Sequence, residues 1–292
     1  MQLTAQNLTE LASLATQAAV EAGALIARYS QREVAVQHKS GADSLAAQVV
    51  TEVDELSQSI ILRHLEPSLA AYDLALLSEE CRDDGSRHLK DYFWCIDPLD
   101  GTLPFTQRMP GYSVSIALVS RTGVPQIGVI YDPIQQVLYS AVLGQGLWRN
   151  GQPWSTSSTL AQPVNQSLRF YCDCTFYSQP DGAELIEQMQ LLASELGYAE
   201  LLVKQGGGGV LNACRVLENA PACYFKKPKL QAGGGSLWDF AATACLFKQA
   251  AAPVSDFNGQ PLDLNRRDSS FMNHRGVIYS SCWQLSAALQ KL

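Results

Sequence analysis

Apolar positions recur along residues 5–29 at Leu8, Leu11, Leu14, Ala15, Ala18, Ala22 and Leu25, a helical spacing on an alanine-rich body. A second helical pattern runs from about Thr51 to Leu65, with Leu56, Ile60, Ile61 and Leu65 on one side and Pro67 as its expected end. Residues 37–44, between them, read as a polar loop with a strand-like approach. Short apolar runs then take over. Residues 93–96, 113–119, 126–131 and 136–141 read as strands punctuated by Gly, Pro and Asp, with Arg121-Thr122-Gly123 as a hairpin turn. Residues 147–154 suggest a further strand interrupted by a tight turn at Asn150-Gly151. The tract 155–165 is rich in Ser, Thr and Gln, and it divides an N-terminal α+β unit (1–155) from a C-terminal α/β unit (156–292). In the second unit, 167–171 reads as a strand, 183–196, 210–217 and 238–248 as helices, and short strands follow near Val254 and over 277–280. Gly206 to Gly209 lack the spaced pattern of a dinucleotide fingerprint, so a flexible turn is expected there.

Composition narrows the class. The 292 residues are 47% hydrophobic and 17% charged, an ordinary globular balance with enough apolar mass for a sizeable core. A net charge of −7 argues against a nucleic-acid surface. Eight scattered cysteines, without paired CxxC blocks, argue against zinc. Cys172 and Cys174, two apart on an expected strand, favour packed thiols over a strained disulfide, and a reduced cytoplasmic compartment is expected. Met1-Gln2-Leu3-Thr4 does not read as a signal peptide, and no apolar run is long enough to span a membrane.

The chemistry concentrates in residues 93–105. A buried apolar strand delivers Asp97 and Asp100 onto a turn shaped by Pro98 and Gly101, with Thr102 and then Pro104 opening a helix. Two carboxylates and the Leu99 carbonyl are hard oxygen donors suited to magnesium or manganese. Asp-Pro and Asp-Gly are also ordinary turn formers, so this segment alone does not separate a site from a turn.

Three further blocks accompany it: Val50-Thr51-Glu52-Val53-Asp54, the acidic pair Glu79-Glu80 after Leu76-Leu77-Ser78, and Trp238-Asp239-Phe240-Ala241-Ala242. In this order, with Asp97-Pro98-Leu99-Asp100-Gly101-Thr102, the blocks resemble the inositol monophosphatase superfamily of magnesium-dependent, often lithium-sensitive phosphatases, which includes bisphosphate nucleotidases. The resemblance runs over nearly the whole chain. It implies a layered αβαβα sandwich and a metal-dependent phosphomonoesterase using two to three Mg2+ ions, with Mn2+ as a substitute. It implies that Glu79, Asp97 and the Leu99 carbonyl hold one ion, and Asp97, Asp100 and Asp239 a second. Glu79 and Thr102 would orient the attacking water, Asp54 would polarise Thr102, and the Gly101 and Thr102 amides would grip the phosphate. The partner expected is a small phosphorylated metabolite, with homodimer formation common in the family. The chemistry does not require His38, His64, His88 or His274.

The chain also departs from the family pattern. Lys39-Ser40 matches a mobile loop that looks several residues longer than usual, which bears on lid closure. Leu103-Pro104-Phe105 replaces the usual Asn-Phe or Glu-Phe. Gly209 stands for the glycine that opens a helix, without the small polar pair that follows it. Where inositol-specific members carry a glutamate, Cys223-Tyr224-Phe225-Lys226-Lys227 places a lysine that could meet a second phosphate or could be a solvated surface residue. Inositol monophosphate is the family default, a 3′-phosphorylated adenosine 5′-phosphate the rival favoured by Lys226, and sugar bisphosphates come third. A non-catalytic binding protein is the remaining class, but none of the expected acids is missing.

Overall fold

A computed structural model describes residues 2–30, 42–156, 166–178 and 181–292, with residues 42–51 given by backbone alone. In chain order the elements are α1 (Ala5–Ser30), α2 (Ala42–Ala71), β1 (Ala75–Ser78), β2 (Tyr92–Asp100), α3 (Thr102–Thr106), β3 (Ser113–Ser120), β4 (Pro125–Asp132), β5 (Val137–Val142), β6 (Gly146–Arg149) and β7 (Gln152–Pro153). There follow β8 (Ser167–Asp173), α4 (Gly182–Glu195), β9 (Glu200–Gly207), α5 (Gly209–Glu218), β10 (Ala222–Lys226), α6 (Leu237–Gln249), β11 (Val254–Ser255), β12 (Val277–Ser280) and α7 (Trp283–Leu289). β1 to β7 form one sheet in sequential order, and a second sheet runs β11-β12-β10-β8-β9.

The layers follow from which faces are apolar. α1 and α2 pack on the outer face of the first sheet, α5 and α6 lie between the sheets, and α4 and α7 cover the far face of the second. The architecture is the layered αβαβα sandwich that the resemblance implies. β2 explains why its run is continuously apolar rather than alternating. Trp94 and Ile96 join the core under α1 and α2, whereas Phe93 and Cys95 face α6 in the inter-sheet core, so both faces are covered. α6 approaches β4 so closely that a Cβ on Gly128 would stand 2.3 Å from the Ala242 carbonyl.

The structure corrects several sequence expectations. α2 does not end at Pro67 but carries it inside and continues to Ala71. Tertiary packing outweighs the missing N–H: buried Ser68 accepts a 2.9 Å bond from the Trp94 indole and donates to the Leu65 carbonyl, which holds this turn against β2. Residues 42–44, expected in a loop, are helical, while Lys39 and Ser40, like His38, lie outside the described residues. β1, β9 and β10 are strands that periodicity alone does not reveal. β1 is only four residues and pairs in parallel with β2. Cys172 is buried in β8 but Cys174 falls past the strand end, so the two do not share a strand face, and all eight cysteines are free. The first sheet ends at Pro153 and the second begins at Ser167, on either side of the Ser/Thr/Gln-rich tract, of which 157–165 lie outside the described residues. α6, from beyond that tract, packs on the first sheet.

Candidate active site

The candidate site forms where β2 ends. β1 and β2 run in parallel with Ser78 opposite Ile96, so the next residues stand side by side, Glu79 just past the end of β1 and Asp97 still in β2, opposite Ser115 of β3. The Glu79 N–H donates to the Ile96 carbonyl at 3.2 Å, which ties the two strand ends together. The Asp97-to-Thr102 turn is held from outside by α2, whose Ser57 hydroxyl donates 2.8 Å to the Pro98 carbonyl. Inside the turn the Leu99 N–H donates 3.0 Å to Asp97 Oδ1. Gly101 sits at φ +86°, left-handed backbone that a side chain resists, and a Cβ there would also meet the Gly111 carbonyl at 2.6 Å. α3 starts directly after it.

Two other elements close the site. The start of α5 donates the Val210 N–H to Asp100 Oδ2 at 3.0 Å, and a Cβ on Gly208 would lie 2.3 Å from that same oxygen. The glycine run expected as a flexible turn is therefore a built feature: its first two residues end β9, and Gly208 lets a carboxylate reach the helix start. Asp239 enters from the first turn of α6, where its Oδ2 accepts the Ser236 N–H at 2.6 Å. It is a helix cap and a member of the cluster at once. Trp238 packs beside it, and the Trp238 carbonyl accepts Ser115 Oγ at 3.2 Å.

One oxygen from each of Asp97, Asp100 and Asp239 lies within 4.8 Å of the others. Asp97 is 1% exposed and Asp100 7%. Burial, reinforced by Glu79, Asp239 and Asp100, pushes the Asp97 carboxyl well above the usual carboxylate range. Asp100 is likewise pushed up, by burial and then Asp239, with Lys226 opposing, and Asp239 is raised by burial against the pull of Lys226. Glu79 is exposed on its outer side while its carboxyl meets Asp97 and the Trp238 side chain; burial of that end, Asp239 and Glu80 raise it to about 7. Asp54, 6% exposed on α2, is raised to about 8 by burial and then by Glu80 and Glu79.

Such a cluster is costly without positive charge, because buried carboxylates lose hydration and repel one another. Lys226, the lysine that lowers Asp100 and Asp239, is already paired, with Asp173 Oδ2 at 2.9 Å. Ser113 Oγ, on the residue opposite Asp100 in the β2–β3 ladder, is buried and has no hydrogen-bond partner among the described residues. An all-oxygen donor set that is short of positive charge, beside an unsatisfied hydroxyl, fits hard divalent cations such as magnesium or manganese.

The other expected residues fall around this cluster. Thr102 Oγ1 lies 3.5 Å from the Leu99 carbonyl, and among the described residues no hydrogen bond joins Asp54 to Thr102. Lys226 is not a solvated surface residue. Its side chain is 22% exposed, and its Nζ lies 5.9 Å from the centre of the Phe240 ring. Burial pulls its pKa down, but Asp173, Asp239 and Asp100 together outweigh burial and raise it. Asp173 was not anticipated. It ends β8 and accepts Tyr224 Oη at 3.1 Å and Asn212 Nδ2 at 3.2 Å in addition to Lys226. Its signal was present: like Asp97, it is an acid at the carboxyl end of a buried apolar run. Of the histidines, His64 binds Glu21 and His274 meets Arg266, and neither belongs to the cluster.

Two sheets alternating with three helical layers, and buried carboxylates gathered from the ends of β2 and the start of α6, define a sugar-phosphatase type of αβαβα protein. The chain belongs to the inositol monophosphatase family, which it matches over residues 7–290. By that membership it is a phosphatase. It is 27% identical to inositol monophosphatase 1 of Solanum lycopersicum over 96% of this chain and 97% of that protein. It is 31% identical to the 3′(2′),5′-bisphosphate nucleotidase CysQ of Escherichia coli over 77% of this chain and 82% of that protein. The inositol monophosphatase structure from Anabaena superposes with a TM-score of 0.71 at 24% identity, covering 98% of this chain and 97% of that one.

Proposed function

We propose that the chain is a magnesium-dependent phosphomonoesterase acting on a small anionic phosphate ester, with inositol monophosphate as the first candidate substrate. The observation that carries this reading is the convergence of Asp97, Asp100 and Asp239 with too little positive charge of their own. Glu79, Asp97, Asp100, Asp239 and the Leu99 carbonyl are the groups that would hold two or three magnesium or manganese ions. When bound, such ions supply Lewis-acid stabilisation of the phosphoryl group and lower the pKa of a coordinated water. The residues do the rest. Glu79, raised to about 7 in the metal-free protein by burial and its acidic neighbours, would be held ionised by bound cations and shares with Thr102 the task of orienting the attacking water. The Gly101 and Thr102 amides, at the start of α3, face the phosphate. Asp54, buried on α2 and raised to about 8 by burial and then by Glu80 and Glu79, would polarise Thr102 once the site is charged with cations.

A second reading, a 3′(2′),5′-bisphosphate nucleotidase, is favoured by Lys226, which stands beside Asp100 and Asp239 where a glutamate would suit a polyol. Its pairing with Asp173 limits that argument: a second phosphate must compete with a carboxylate for the ammonium. The test is phosphate release with magnesium from inositol 1-phosphate, adenosine 3′,5′-bisphosphate and fructose 1,6-bisphosphate. Preference for inositol phosphate supports the first reading, preference for the nucleotide supports the second, and no release from any overturns both.

A further inference from the structure

A separate cavity of about 570 Å³ opens on the other side of α5, walled by β5, β6, β8 and β9. Its volume lies within the range of small-molecule sites, roughly 300–1,000 Å³. None of Asp97, Asp100 and Asp239 lines it. Its charged lining comprises Arg149, Lys204 and Arg215 against Asp132 and Glu218.

What decides the ligand class is which of these groups are already committed. Glu218 Oε1 receives Arg149 Nε at 3.1 Å and the Tyr139 hydroxyl at 2.9 Å. Asp132 Oδ1 receives the Ile134 and Gln135 amides, each at 2.9 Å. The acids and Arg149 therefore have protein partners. Arg215 is less committed: its charge acts on Asp132, but among the described residues it forms no ion pair, and its guanidinium, with five donor hydrogens, makes only a long 3.4 Å bond to Asn212 Oδ1. Lys204 forms no ion pair and the Tyr171 hydroxyl no hydrogen bond among the described residues. Unspent donors on Arg215, Lys204 and Tyr171, with three basic side chains against two acids in the lining, suit an anion and not a cation. The planar guanidinium fork matches phosphate oxygens in particular.

We propose that this cavity is a second binding site, distinct from the acidic centre, that takes a small phosphate-bearing anion through Arg215, Lys204 and Tyr171. The site is wired to the acidic centre. Arg215 bonds Asn212, Asn212 Nδ2 bonds Asp173 and the Gly207 carbonyl, and Asp173 holds Lys226. An anion that draws the Arg215 fork towards itself alters the contact next to the residue that anchors Lys226.

The test is calorimetric titration of the whole protein with inorganic pyrophosphate in the presence of EDTA, which removes the cations that would draw an anion to the acidic centre. It does not depend on turnover, so it stands apart from the reading of the reaction. The expected result is one site per chain, saturating below about 1 mM. Lys204→Ala and Arg215→Gln, each verified as folded by its unfolding transition, should each weaken binding by about tenfold or more, as loss of a charge-assisted contact does. Tyr171→Phe offers a third variant should Arg215→Gln fail to fold. The proposal is overturned by absence of saturable binding, or by wild-type affinity in the folded variants.

Discussion

Raising the pH of the metal-free protein should destabilise it, and magnesium should reverse the loss. Asp54 has an ordinary carboxylate value of 3.8 in the unfolded chain and about 8 in the fold. Between about pH 5 and pH 7 the native state keeps this proton and the unfolded state does not. Stability then falls with rising pH at about 1.4 kcal/mol per pH unit for each such group, or about 3 kcal/mol across that interval for Asp54 alone. A folded-state value above the unfolded one contributes stability that is complete below about pH 4 and is lost as the pH rises towards 8. Glu79, raised to about 7, acts in the same direction, with a smaller effect because solvent screens its exposed side. Asp97, Asp100 and Asp239 are raised too and steepen the slope. Against a total of about 5–15 kcal/mol for a typical domain, the effect is readily measured. The assay is urea unfolding followed by circular dichroism at several pH values, in EDTA and in excess magnesium. The EDTA series should lose stability with pH, and the magnesium series should stay flat or rise, because deprotonated carboxylates bind the ion better. A flat EDTA series would refute the account of Asp54, and coincident series at about pH 8 would refute the metal site itself.

Three substitutions probe the remaining links. Asp97→Asn should cost Mg-dependent phosphate release about a hundredfold or more while leaving the folded circular dichroism spectrum intact, and retained turnover would exclude Asp97 as a ligand. Gly208→Ala places a Cβ 2.3 Å from Asp100 Oδ2 and should raise the magnesium concentration for half-maximal activity by about tenfold, so an unchanged metal titration would show that Asp100 need not sit there. Gly128→Ala drives a Cβ to 2.3 Å from the Ala242 carbonyl and should cost about 1–3 kcal/mol in urea unfolding, since α6 must move off β4; a neutral result would mean that this helix–sheet contact yields easily.

Much of the site could be read in the sequence because its parts are local. Asp97, Leu99, Asp100, Gly101 and Thr102 occupy one short stretch, from the irregular end of one buried strand into the start of α3, and such local chemistry survives in a short window. α1, α6 and the β3–β4 hairpin were equally legible, since amphipathic spacing and turn residues are properties of neighbours in the chain. Where periodicity failed, distant contacts decided. Pro67 should stop a helix, yet Trp94 and Ser68 hold its turn in place. β1 is too short to announce itself, and only its parallel register with β2 brings Glu79 to Asp97. Lys226 could be read either as a surface charge or as a site residue until β8 and β10 paired and placed Asp173 against it. The sequence by itself determined which residue types are available for hard-cation chemistry and which of the strongly patterned segments, such as α1, α6 and the β3–β4 hairpin, would be helix or strand. The tertiary structure alone decided which carboxylates share a buried space and which lysine is already spent, because burial and charge pairing belong to groups brought together from distant segments of the chain.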